Sequence, residues 1–161
     1  MSDLNVLAER VKLILVNTGV FETVFIGTPQ TLSRGHLPVA LVTIGGIQYE
    51  RSQGYSNLRR SPLTMQIKML IRGWDGLYTE SDMDKVATIL EAVEQAFVAS
   101  PLLRTGDLPN LQNVTDSQIS NSTSPHNPIL YPNVEGGGLY FGIILTLNIT
   151  QTKFVSLLKG G

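Results

Sequence analysis

The chain has 161 residues, a formal net charge of −1 and no cysteine. The absence of cysteine excludes disulfide frameworks, thiolate metal sites and thiol nucleophiles. A near-neutral chain has no overall attraction for nucleic acid or for an anionic membrane. Charged residues make up 16% of it, against an average of about 25%. A surface with so few charges is typical of a subunit that is covered by its neighbours, and equally of a monomer that self-associates non-specifically.

The N-terminal region carries no recognisable targeting segment. Met1–Leu4 lack the basic flank and apolar core of a secretion signal, so we expect a protein that is not secreted. Apolar runs such as Phe141–Leu147 are too short to cross a bilayer. The length predicts one domain over residues 1–151, followed by a C-terminal extension over residues 152–161.

The first predicted element is an amphipathic helix over Asp3–Thr18, which Asp3 can cap. A short strand follows over Phe21–Ile26, and then a loop with Pro29 and Gly35. Pro38–Ile44 is almost wholly apolar, which is typical of a central strand covered on both faces.

A long, protruding β-hairpin is predicted from Gln48 to Arg72, with Ser52–Pro62 as its polar connection. Its second strand alternates clearly between apolar and polar residues. The predicted inward residues are Met65, Ile67, Met69 and Ile71, and the predicted outward residues are Thr64, Gln66, Lys68 and Arg72.

A second amphipathic helix is predicted to end at Pro101. Ser81 and Asp84 have the spacing of a capping box, and acidic residues occupy the first turn, where the helix dipole favours them. The predicted core stripe consists of Met83, Val86, Ala87, Leu90, Val93 and Phe97.

The last third of the chain is largely loop. Residues 105–138 are polar, with at most an edge strand over Val114–Asn121. Leu139–Thr150 alternates again and predicts a final strand. Its predicted inward residues are Phe141, Ile143, Leu145, Leu147 and Ile149. The element order predicts an α+β fold, a two-layer sandwich in which two helices pack on one face of a mainly antiparallel sheet.

No pattern typical of catalysis is found. His36 and His126 each lie in a loop without an acid or a second histidine at ligand spacing. Gly136–Gly138 lead into a strand, which does not fit a dinucleotide site. The acidic group Glu80, Asp82 and Asp84 is typical of a helix start. We therefore predict no enzyme, no metal site and no cofactor.

The charges are segregated along the chain. Five bases and no acid occur between Arg51 and Trp74, and six acids with one base occur between Asp75 and Gln95. These blocks are either two solvated faces or a head-to-tail interface, in which the basic hairpin of one copy meets the acidic helix of the next. The candidate interface residues are Arg51, Tyr55, Leu58, Arg59, Arg60, Glu80, Asp84, Glu91 and Glu94.

The C-terminal extension is unexpectedly apolar. Phe154, Leu157 and Leu158 follow the last predicted strand, where a terminal segment is usually polar. These residues either fold back on their own domain or bind the surface of a neighbour.

Taken in order, these elements resemble the tail terminator proteins of long-tailed bacteriophages, also called tail completion or head–tail joining proteins. The resemblance covers residues 4–151. It includes the first helix, the strand Pro38–Ile44, the basic hairpin, the acid-started helix ending in Ala99–Leu103 and the final strand Phe141–Ile149.

The resemblance implies a structural protein of the virion, at the junction of tail and neck, assembled in the host cytoplasm. It implies a homo-oligomer, a hexameric ring, that caps the tail tube protein and meets the head connector. DNA would pass through its lumen without specific binding. Contact with a sheath stays open, as does whether Arg59 and Arg60 line the pore or bridge subunits.

Two alternatives remain. Another neck component, a stopper or an adaptor, belongs to the same structural class. A monomeric nucleic-acid-binding module could use the bases between Arg51 and Trp74, and its retention on DNA would be sensitive to salt.

Overall fold

The computed structural model describes residues 3–51, 57–103, 114–125, 127–131, 138–151 and 154–156. The described part contains two α-helices, a short 3₁₀ turn over Arg34–His36 and one sheet. The helices are α1 (Asp3–Asn17) and α2 (Glu80–Ala99). The strands are β1 (Thr23–Ile26), β2 (Val39–Arg51), β3 (Asn57–Gly73), β4 (Val114–Ser122), β5 (Ile129–Tyr131), β6 (Gly138–Gln151) and β7 (Phe154–Ser156).

The seven described strands form a single sheet in the order β1-β2-β3-β6-β4, in which β5 pairs with β6 and β7 pairs with β3. Only β1 and β2 run parallel among the described pairs, and the others are antiparallel. The α+β prediction is therefore confirmed, including the mainly antiparallel sheet and the hairpin.

Both helices pack on one face of the sheet. α1 lies over β1 and β2, and α2 lies against β4. The predicted inward residues of β3 and β6 are buried beneath them, from Met65 to Ile71 and from Phe141 to Ile149. Period-two alternation in two neighbouring strands supplies one continuous apolar face, which the helices remove from water.

A smaller apolar cluster lies on the opposite face. Val39 and Leu41 are buried there while Ala40 and Val42 face the helices, so this part of β2 is covered on both sides as predicted. The cover comes from the loop before β2, through Leu32, and from β5. The hydroxyl of Tyr131 in β5 donates to the carbonyl of Pro29 and ties the two together.

The hairpin is longer than the sequence indicated. β2 continues through Gly45 and Gly46 without ending. The register of its pairing with β3 shifts between Ile44 and Gly46 and again between Ile47 and Tyr49. β3 begins at Asn57, so the predicted connection Ser52–Pro62 was wrong over its second half. We use "the arm" for residues 47–51, 57–62 and 154–156, three strands that extend beyond Leu63.

The start of α2 also differs from the prediction. The N-cap is Thr79, whose side-chain oxygen accepts a hydrogen bond from the backbone of Asp82, so the capping box lies two residues before the predicted pair. The core stripe is rotated accordingly: Ile89 is buried, Met83 is 55% exposed and Ala87 is exposed. Its buried members are Asp82, Val86, Ile89, Val93 and Phe97.

The C-terminal third contains more strand than predicted. The edge strand near Val114 is confirmed as β4, whereas β5 was not expected. Inside the predicted C-terminal extension, the backbone of Phe154–Ser156 pairs with β3 as β7. This segment therefore belongs to the same sheet as the preceding domain.

Candidate subunit interface

A partly buried ionic contact joins the end of β3 to the start of α2. Nε of Arg72 donates to Oδ1 of Asp82 at 2.9 Å, and Nη2 donates to Oδ2 at 2.7 Å. Asp82 is 6% exposed, and the Arg72 guanidinium lies 4.8 Å from the centroid of the Phe141 ring. Two parallel bonds to one carboxylate fix both position and angle.

The sequence placed Arg72 on the outward face of β3, and that prediction was wrong. The register of β3 against β6 shifts between Leu70 and Arg72, so that Arg72 is opposite the inward residue Phe141. Such an extra residue reverses the direction of every side chain that follows it. Alternation alone cannot reveal this, because Ile71 and Leu70 are both apolar.

The contact determines the ionisation of the acids around it. Hydrogen bonds from Arg72, and then from the Thr79 backbone, hold the pKa of Asp82 far below its ordinary value. The backbone N–H of Leu77 lowers the pKa of Asp75, and Arg72 adds to this from 3.0 Å. The guanidinium pKa of Arg72 is raised in turn, chiefly by the Asp82 hydrogen bonds.

The two charge blocks are therefore partly neutralised inside one molecule. Arg72 is bound by Asp75 and Asp82, which removes one base and two acids from the charge available to a partner. The remaining acids of the helix are the four that the sequence proposed for an interface: Glu80, Asp84, Glu91 and Glu94.

These four acids form one surface, which we call the acidic stripe. Each is exposed. Their spacing places Glu80, Asp84 and Glu91 on the side of α2 opposite its buried stripe, and Glu94 on the flank next to β4. The stripe runs about 21 Å from Glu80 to Glu94, at 1.5 Å per residue. In the described part of the chain no ion pair reaches any of the four.

The basic candidates lie on the arm. By Cα register, Arg51 is opposite Leu58, Arg59 is opposite Glu50, and Arg60 is opposite Tyr49. On its other side, Arg59 is opposite Phe154 of β7. The structure thus gathers Arg51, Leu58, Arg59, Arg60 and Phe154 on one three-stranded segment. The candidates Tyr55, Leu157 and Leu158 lie outside the described residues.

The contact between Arg72 and Asp82 was missed by sequence reasoning, although a signal existed. Thr79 and Asp82 have the spacing of a capping box, as Ser81 and Asp84 do.

Of the two histidines, His36 is half-buried, accepts a hydrogen bond from the Ser33 backbone at 3.1 Å and makes a T-shaped contact with the ring of Phe25. His126 lies outside the described residues.

Over the described ranges, no three His, Asp or Glu side chains converge as metal ligands would. None of the helices described is both long and apolar enough to span a membrane. The sequence matches no protein-family model, and no curated protein is significantly similar to it.

Proposed function

We propose that this chain is a ring-forming structural protein of a long-tailed bacteriophage, which caps the tail tube, ends its polymerisation and joins the tail to the head connector. The ring is a hexamer in this proposal, and DNA passes through its lumen. The proposal starts from the family resemblance, and the arrangement of charge on the molecule supports it.

The observation that supports the proposal most directly is the distance between the basic arm and the start of the acidic stripe. Arg60 and Arg72 are twelve residues apart on β3, which is about 40 Å of extended strand. Because Arg72 is bound to Asp82 in the first turn of α2, Glu80 and Asp84 lie at the end of the sheet opposite the arm. Arginines on the arm can therefore meet these acids only on another copy.

A contact between two different surfaces of identical subunits is heterologous. Such contacts close into a ring when the rotation per subunit permits it. In the mechanism we propose, the arm of each copy contacts the acidic stripe of the next. The completed ring then covers the last ring of the tube and blocks further addition.

The alternative of a nucleic-acid-binding module is less well supported. Affinity for phosphate comes from many free lysine and arginine side chains. Of the five bases between Arg51 and Trp74, Arg72 is already bound to two carboxylates. The exposed acids of α2 would repel a phosphate backbone.

The test is the native mass of the purified protein by light scattering, followed by negative-stain imaging alone and with purified tail tubes. We expect a ring-sized oligomer, either free or bound to tube ends. A protein that stays monomeric and also ignores tube ends would contradict the proposal. Salt-sensitive retention on DNA that is lost on replacing Arg51, Arg59 and Arg60 would favour the alternative.

A further inference from the structure

A groove lies between the second half of α2 and the edge strand β4. Its volume is about 330 Å³, and it is lined by Glu94, Phe97, Val98, Ser117, Gln118 and Ile119. The floor is apolar, because Phe97 is buried and Ile119 packs on the core. Val98, on its rim, is 80% exposed, the largest value among the large apolar residues whose exposure the structure describes.

The groove also contains an unsatisfied polar group. Ser117 is 5% exposed, and its hydroxyl has no hydrogen-bond partner among the described residues. A buried hydroxyl without a partner costs free energy, so such groups are normally paired. Because this hydroxyl is not exposed at the surface of the groove, a segment bound there would reach it only after a local rearrangement.

We propose that the groove binds the C-terminal segment Leu157–Lys159 of a neighbouring copy. This inference rests on the proposed function and specifies one contact of the ring. The two leucines suit the apolar floor formed by Phe97 and Ile119, with the exposed Val98 beside it. Lys159 follows them directly and carries the charge opposite to that of Glu94 on the rim.

The same copy cannot supply these leucines. Ser156 is opposite Asn57 at the tip of the arm. The groove lies beside Ser117 and Ile119, which pair with Ile149 and Leu147 at the level of Leu63 and Met65. Asn57 and Leu63 are six residues apart on β3, or about 20 Å.

Leu158 is two residues beyond Ser156, which gives it a reach of roughly 7 Å. That is well short of the groove on its own molecule. Ser156, the last described residue before the segment, lies at the end of the arm most distant from the core of its own molecule, which suits delivery to a neighbour. Of the two roles that the sequence left open, Phe154 takes the first, because its backbone pairs with β3 of its own chain, and the short reach favours the second for Leu157 and Leu158.

The absence of cysteine allows a direct test in the full-length chain. One preparation carries Val98→Cys and a second, of different tag length, carries Leu158→Cys. The two are mixed and oxidised mildly, and the products are separated by mass. A disulfide requires the two Cα atoms to approach within about 7 Å. In the control mixture, Val16→Cys replaces Val98→Cys; Val16 is an exposed residue of α1. We expect the yield of covalent heterodimer to be at least tenfold higher with Val98→Cys than in this control.

A second measurement tests the polar contact. Glu94→Lys and Lys159→Glu are each expected to weaken self-association about threefold to fivefold, and the double variant is expected to restore it. Glu9→Lys, an exposed acid on α1, is the matched control and should leave association unchanged.

The outcomes separate the two proposals. An oligomer that forms no Val98–Leu158 heterodimer would overturn the groove contact and leave the ring standing. A third preparation carries both Val98→Cys and Leu158→Cys in one chain. An intramolecular disulfide in that chain, with no heterodimer in the mixture, would also overturn the groove contact. A protein that neither oligomerises nor cross-links, with or without tube ends, would overturn both proposals.

Discussion

Arg72 binds Asp82 through two nitrogens, reaches Asp75 and covers the ring of Phe141. The same carboxylate of Asp82 also accepts a hydrogen bond from the Thr79 backbone at 2.9 Å. One acid therefore caps α2 and anchors the helix to β3. Since Asp82 has to face Arg72, the rotation of α2 about its axis is determined at its first turn.

Replacing Asp82 by Asn is expected to lower the melting temperature at pH 7. The amide can still cap the helix, but it leaves Arg72 without its main charged partner. The pKa of Asp82 is lowered by folding, so its contribution is complete above the ordinary carboxyl value of 3.8 and is lost as the pH falls below it. The difference in melting temperature between Asp82→Asn and the parent chain should therefore shrink as the pH falls below about 4.

Thermal melts across this pH range measure the effect. Glu9→Gln is the matched control, because Glu9 is an exposed helical acid outside the proposed interface and has no ion pair among the described residues. Its melting curve should follow that of the parent chain at each pH. If the melting temperature of Asp82→Asn stays below that of the parent chain by the same amount at acidic pH, the charge of Asp82 is not the source of its contribution to stability.

At the scale of elements, the pairing of β3 with β6 forms the centre of the molecule. Gly142 of β6 is opposite Leu70, next to the register shift that turns Arg72 inward. A Cβ atom added at Gly142 would collide with the backbone of Met69 and Leu70. The two strands thus approach closely where β3 carries its extra residue, and glycine is the residue that permits it.

Gly142→Ala is therefore expected to destabilise the fold by about 1–3 kcal/mol, the usual range for overpacking a core. Chemical denaturation monitored by circular dichroism measures this. Gly46→Ala is the control, because an added Cβ there meets only the Thr64 hydroxyl at 3.4 Å. Equal losses in the two variants would mean that the close approach at Gly142 is not a special constraint.

Helix and strand identity were largely predictable from periodicity, but the orientation of elements was not. The inward residues of β6 were predicted correctly, because one face of a strand with strict alternation has to be buried. In α2, Met83 and Ala87 were assigned to the core and Ile89 was not. On a helix with apolar residues on several sides, the angle depends on tertiary contacts such as that of Asp82.

At the scale of the whole molecule, the distribution of charge is the feature that a partner would meet. Three acids of the stripe face away from the sheet, Glu94 lies next to β4, and three arginines lie on the arm. Arg59 is a poor position for a test by charge reversal. Its register partner is Glu50, and two acids directly opposite each other destabilise a hairpin by themselves.

Arg60 and Glu91 are better positions, since the register partner of Arg60 is Tyr49. Arg60→Glu and Glu91→Arg should each weaken oligomer formation, by about threefold to tenfold per contact at low salt, and the double variant should recover it. Light scattering over a dilution series measures the change. Glu9→Arg, on α1, is the matched control. Single variants that assemble like the parent chain would remove these two positions from the interface.

The sequence by itself determined the fold class and the inward residues of β3 and β6, because each follows from local periodicity, and it identified the four acids of α2 from the clustering of charge. The tertiary structure decided the rest. A register shift between Leu70 and Arg72 turned one base inward, and a loop and β5 covered the second face of β2. Pairing of β7 with β3 placed Phe154–Ser156 on the arm. These features depend on contacts between residues far apart in the chain, which no local pattern records.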